Sequence, residues 1–134
     1  MKDIRILVVD DFDTMIRIIK NILNDLGYEN IVSARNGAQA CQILAREKID
    51  FIISDWNMPI MSGIELLRTV RATPQWANIP FLMITAEAEK EHILEAIQAK
   101  VDQYIIKPFN GVMLAAKIKF ALNRNVTHSQ PGKS

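Results

Sequence analysis

Residues 51–59 read FIISDWNMP. The apolar run Phe51-Ile52-Ile53 passes through Ser54 into Asp55, and Pro59 forbids continued strand pairing. A short apolar run without polar alternation is how a parallel strand reads when both faces of its sheet are covered. Ending such a strand on a carboxylate is costly unless something pairs with the charge. What stands at the ends of the other strands therefore decides what this stretch is for.

Moving outward, β-branched runs alternate with helical periodicity. Residues 4–9 form a first strand. Met15, Ile18, Ile19, Ile22, Leu23 and Leu26 then recur at helical spacing, with Asp13 as N-cap and Gly27 as stop. A weaker strand covers 31–34, and a helix over 38–45 follows the turn pair Asn36-Gly37. The third strand spans 49–54. Ser62 caps a helix from 64 to about 71, and 73–78, holding Pro74 and Trp76, is a loop. The fourth strand spans 79–84, with Pro80 near its start, and a helix over about 89–99 follows. A fifth strand has its centre at 104–106. Asn110 caps a last helix that buries Met113, Leu114, Ile118 and Leu122. This repeated βα pattern predicts a parallel sheet with helices on both faces and right-handed crossovers. One domain is expected over 1–123, and the polar stretch 124–134 reads as a disordered tail or linker stub.

The 134 residues suit one compact domain, and 49% hydrophobic with 23% charged content supports a sizeable core. A net charge of +1 gives no electrostatic reason to expect nucleic acid or an anionic membrane as partner. No run approaches the ~18 apolar residues of a membrane span, and the N-terminal segment does not read as a signal peptide, so none is expected. With Cys41 the only cysteine, no intramolecular disulfide can form, so a reduced cytoplasmic protein is expected.

In an open parallel sheet, ligands sit beyond the carboxyl ends of the strands. Asp10 and Asp11 follow the first strand, Asp55 the third, Thr85 the fourth and Lys107 the fifth. Clustered carboxylates repel one another and raise one another's pKa values, unless a hard divalent cation sits among them. Oxygen donors of this kind suit Mg²⁺. A carboxylate beside bound Mg²⁺ can attack phosphorus and form an aspartyl phosphate. Lys107, the Thr85 hydroxyl and backbone amides would meet the phosphoryl oxygens. On this reading Asp55 is the nucleophile.

The pieces VVDD, SDWNMP followed by SG, MITAEA and YIIKPF resemble the receiver domain of two-component response regulators, most closely its single-domain chemotaxis branch. The resemblance covers residues 4–122. It implies a flavodoxin-like (βα)5 three-layer sandwich whose five-stranded parallel sheet has the order 2-1-3-4-5. It implies Asp55 as phospho-acceptor and Asp10 and Asp11 as the acidic Mg²⁺ pair, with Asp11 favoured as direct ligand and the Asn57 backbone carbonyl as the third protein ligand. It implies Thr85 as switch hydroxyl, Lys107 as phosphate-binding lysine and Tyr104 as the aromatic that changes rotamer. Asn57 and Glu87 match positions that tune phosphate loss. The implied partners are a chemotaxis-type histidine kinase, the flagellar motor switch protein and a phosphatase. The protein would be a monomeric signalling switch that catalyses only its own phosphoryl transfer and slow autodephosphorylation.

Plainer roles compete at several positions. Asp10 and Asp11 alone could be helix-start acids. Thr85 alone reads as an ordinary strand residue, and Tyr104 as a packed core aromatic. Cys41 reads as an inert thiol facing the core. His92 and His128 read as surface residues, since no partner spacing supports a metal site. Lys100 stands where many receivers carry glycine and fits a left-handed cap poorly. Val101-Asp102-Gln103 is polar on a face that family members use for partners. Other outputs stay open: a relay protein, or the receiver of a longer regulator. An aspartyl-nucleophile phosphatase would want a second acid where Asn57 stands. A flavin carrier is disfavoured by three acids and the lack of a phosphate-cradling Ser/Thr/Gly loop.

Overall fold

The computed structural model describes the backbone of residues 3–128 and the side chains of 3–123. Five strands, β1 (Ile6–Val9), β2 (Ile31–Ala34), β3 (Phe51–Asp55), β4 (Phe81–Thr85) and β5 (Gln103–Ile106), alternate with five helices. These are α1 (Asp13–Asp25), α2 (Gly37–Arg46), α3 (Gly63–Ala72), α4 (Lys90–Gln98) and α5 (Gly111–His128). The strands pair in parallel in the order β2-β1-β3-β4-β5. This is the flavodoxin-like sandwich that the resemblance implied.

Strand side chains point alternately to opposite faces, so each buried strand feeds two cores. Leu7, Val9, Ile52, Phe81 and Met83 pack with Ala40, Ile43 and Leu44 of α2, Leu66, Leu67 and Val70 of α3, and Ala96 of α4. Ile6, Val8, Phe51, Ile53, Leu82 and Ile84 pack with Ile16, Ile19 and Leu23 of α1 and Leu114, Ile118 and Ala121 of α5. Truncating one of the leucines or isoleucines among these to alanine costs about 2–5 kcal/mol.

Several boundaries differ from the sequence expectations. Pro80 lies just outside β4, because proline has no N–H to donate; its carbonyl still accepts from Ile52. Asp13 is not the N-cap of α1. Phe12 holds that position without a side-chain cap, while Asp13 opens the helix and pairs with Arg35 at 2.5 Å. Gly27 does end the helix, in the left-handed region at φ 98°. Asn36 and Asn110 cap α2 and α5 through Gln39 N and Met113 N. Ser62 and Glu65 form a reciprocal capping box on α3. Met113 is 45% exposed, off the stripe formed by Leu114, Ile118 and Ala121. The backbone of α5 continues past residue 123 to His128. The His128 side chain and the rest of the polar tail, 129–134, lie outside the described residues.

Lys100 does adopt the left-handed conformation, φ 69°. The segment that follows is not simply a partner surface. Asp102 turns inward, accepting from Phe81 N at 2.7 Å and from the Arg71 guanidinium at 2.9 Å. Arg71 also donates to the carbonyls of Lys100, Ala77 and Ile79. One side chain thus fastens α3, the loop before β4 and the turn before β5.

Candidate functional site

The register brings the sequence-predicted residues to one rim. Val9 pairs with Ser54, Asp55 with Ile84, and Thr85 with Ile106. Asp10 and Asp11 therefore emerge beside Asp55, and Lys107 one residue beyond the partner of Thr85. Oxygens of Asp10, Asp11 and Asp55 all lie within 4.8 Å of one another. Lys107 Nζ is 3.2 Å from Asp55 Oδ1. The Lys107–Pro108 peptide is cis, and Lys107 N donates to Thr85 O at 2.8 Å.

Asp55 is held by its surroundings. Trp56 N donates to Ile84 O, and Gly63 N donates to Trp56 O at 2.7 Å. A Cβ at position 63 would stand 2.1 Å from Asp55 O and 2.9 Å from Trp56 Cα. Only glycine lets the start of α3 approach this closely. The sequence marked Gly63 only as part of a motif, and the contact with Asp55 was not legible in it.

The electrostatics fit a cation site. Asp10 is 1% exposed. Its Oδ1 accepts from Phe12 N at 2.9 Å, but its Oδ2 is buried with no hydrogen-bond partner among the described residues. Burial, with help from the Asp55 and Asp11 charges, outweighs the Phe12 hydrogen bond and pushes the Asp10 carboxyl up to about 6. Asp55 is also raised: burial is the largest cause, and Lys107 opposes it. A buried orphan oxygen beside two further carboxylates is a donor set for a hard divalent ion. The residues present therefore fit Mg²⁺.

A second layer surrounds this rim. Thr85 is fully buried, and its Oγ1 accepts from Glu87 N at 2.9 Å. The Tyr104 hydroxyl donates to Glu87 O at 2.6 Å, and Asn57 Nδ2 donates to Glu87 Oε2 at 3.1 Å. Burial and the Glu87 charge raise the Tyr104 hydroxyl above its ordinary range. Tyr104 meets Trp56 edge-on, with ring centroids 6.4 Å apart. Cys41 is half-buried beside the core on the α2 side, and burial raises its thiol. His92 is not the plain surface residue that its isolation in sequence suggests. Its ring stands edge-on to Trp56 at 5.5 Å, with Nδ1 turned toward Glu87. An i,i+5 step from Glu87 across a helix start gave no signal of this.

The signature of the response regulator receiver domain matches residues 6–119. The chain belongs to the response regulator receiver family. Among its relatives, this receiver is 50% identical over 117 residues to chemotaxis protein CheY-3 of Vibrio cholerae, covering 87% of this chain and 90% of that protein. It is 49% identical over 120 residues to chemotaxis protein CheY of Pseudomonas aeruginosa, covering 90% and 97%. The solved structure of the chemotaxis response regulator CheY4 of Vibrio cholerae superposes with a TM-score of 0.82 at 32% identity, over 89% of this chain and 98% of that one. A response regulator from Chloroflexus aurantiacus gives 0.85 at 30% identity, over 91% and 99%. The receiver is thus a two-component signalling switch of the CheY-like kind. None of its described helices is long and apolar enough to cross a membrane.

Proposed function

We propose that Asp55 is the phospho-acceptor of a phosphorylation switch in chemotaxis, within a receiver unit of residues 1–123. The observation that carries this reading is the Asp55 carboxylate itself, buried at a strand end with Lys107 Nζ 3.2 Å away and the Asp10 and Asp11 carboxylates within 4.8 Å. An Asp55 oxygen attacks the phosphorus of a phosphohistidine on a chemotaxis-type histidine kinase. The new P–O bond forms as the P–N bond breaks, and its electron pair stays on the departing imidazole. Asp10, Asp11, Asp55 and the Asn57 carbonyl would hold Mg²⁺, with Asp11 as the direct acidic ligand. Bound there, Mg²⁺ supplies positive charge to the phosphoryl oxygens. Lys107 keeps its ammonium on the Asp55 side of the rim, where it meets one phosphoryl oxygen. The Thr85 hydroxyl, on leaving Glu87 N, meets another, and Tyr104 follows.

The added phosphate charge then shifts the population of the α4–β5–α5 face toward a state that binds the flagellar motor switch protein. The names of the chemotaxis relatives support that output. Asn57 and Glu87 tune phosphate loss, and a phosphatase ends the signal. The protein works as a cytoplasmic monomer, and its own catalysis is confined to this transfer and slow autodephosphorylation.

The test is intact-mass spectrometry after incubation with an acyl phosphate, with and without Mg²⁺. One Mg²⁺-dependent phosphoryl adduct in the wild type, absent in Asp55→Asn, is expected. An adduct that persists in Asp55→Asn would sink the assignment.

A further inference from the structure

The His92 ring lies outside the rim chemistry, yet it is not free on the surface. It sits in the first turn of α4, edge-on to Trp56 at 5.5 Å and 83°. Nδ1 is 3.5 Å from Glu87 Oε1 and 3.6 Å from Glu89 Oε1, within ion-pair range, and it is buried with no hydrogen-bond partner among the described residues. A ring nitrogen that faces two carboxylate oxygens carries its proton there, since a lone pair would be repelled.

Glu87 is the element that His92 reaches. Its other carboxylate oxygen is held by Asn57 Nδ2 at 3.1 Å. Asn57 follows Asp55 in the loop after β3, and Glu87 follows Thr85 in the loop after β4. The side-chain bridge Asn57–Glu87 therefore spans the two loops that border Asp55, and His92 stands behind it. Glu87 is anchored from the main chain too, through Thr85 Oγ1 and the Tyr104 hydroxyl. Those contacts fix its backbone, leaving the carboxylate to be aimed by Asn57 and His92.

We propose that His92 is a positioning residue that aims the Glu87 carboxylate onto Asn57, and so keeps a latch across the approach to Asp55. The proposal rests on the reading of Asp55 as phospho-acceptor. A latch held shut slows both traffic into the site and attack by water on the phosphorylated aspartate. Losing it should raise both rates together. A residue that only packs on Trp56 would lower stability without accelerating either.

Three chains are compared: wild type, His92→Ala and His92→Asn. An asparagine amide nitrogen falls near the place of Nδ1 and restores the donor without the ring. Mg²⁺-dependent phosphorylation by an acyl phosphate and decay of the adduct after donor removal are followed by intact mass. In the unphosphorylated chains, the Asn57 side-chain amide is followed by NMR. The alanine variant should phosphorylate and decay roughly two- to fivefold faster, the range commanded by one partly exposed charge-assisted contact. Its Asn57 amide signal should move toward free asparagine, and His92→Asn should restore both readouts. Wild-type adduct formation with unchanged rates in His92→Ala overturns the latch alone. So does faster turnover that His92→Asn fails to reverse. No adduct on the wild type overturns the acceptor reading, and the latch falls with it.

Discussion

Asp10 shows how one buried oxygen can shape the behaviour of the protein. Its carboxyl has an ordinary value of 3.8 and is pushed up to about 6 in the fold, chiefly by burial. The folded chain thus holds a proton that the unfolded chain releases earlier. Below pH 4 both states are protonated and Asp10 costs nothing. Between about 4 and 6 the cost builds, and above 6 it is fully present, on the order of 3 kcal/mol. Metal-free protein should therefore lose stability as pH rises across that window. Asp10→Asn should flatten the slope and stabilise the metal-free chain at pH 7, because an amide keeps the contact to Phe12 N without the charge. Urea titrations from pH 4 to 7.5 measure this, and equal slopes in both proteins would refute it. The acids themselves were legible in the sequence, because helix-start acids could explain Asp10 and Asp11 alone but not those two together with Asp55 and Lys107 at neighbouring strand ends. The orphaned Asp10 Oδ2 was not, since which oxygen a loop amide reaches depends on loop geometry.

At the scale of elements, the ends of α4 differ. Its N-cap, Glu89, makes no side-chain capping bond, and its C-terminal side turns through Lys100 at φ 69°. A non-glycine residue in that region costs about 1–2 kcal/mol, while glycine carries an entropic cost of about 0.5–1 kcal/mol. Lys100→Gly should therefore stabilise the fold by about 0.5–1 kcal/mol, and the Lys100 carbonyl remains to accept from Arg71 Nε. Chemical denaturation with an unchanged m-value checks this; a destabilised variant would mean that the lysine side chain contributes more than the strain removes. That strain was legible from the misplaced lysine. The inward turn of Asp102 was not, because its partners Arg71 and Phe81 lie 31 and 21 residues away. Long-range pairing of that kind leaves no local pattern. The strands were readable from periodicity to within a few residues. The start of β4 was set by proline chemistry at Pro80, and the start of α1 differs because Asp13 lies inside its first turn, paired with Arg35.

For the whole molecule, two apolar cores flank the sheet, and the buried carboxylates of the rim are the groups whose charge works against the fold near neutral pH. If the rim holds Mg²⁺, the ion stabilises only the folded chain. It should add about 2.7 kcal/mol at a hundredfold excess over its Kd, a rise of several degrees in Tm. Asp11→Ala should lose most of that rise while keeping the fold, since Asp11 is exposed. Calorimetry at pH 7 with and without Mg²⁺ gives the answer, and a melt indifferent to the ion would remove the metal from the proposed chemistry. The sheet order followed from the family resemblance; periodicity alone gave only a parallel sheet.

The Arg71 clasp also fixes how any motion must run. It ties the Lys100 carbonyl and the Asp102 carboxylate to α3 and to the edge of β4. The other end of α4 rests against the Asp55 side of the molecule through the His92 ring on Trp56. A helix pinned at one end and leaning at the other is a lever with its fulcrum at Lys100. If Asp55 chemistry moves Trp56, the arm of that lever would sweep the exposed Leu94 and Ile97 while the turn into β5 stays still.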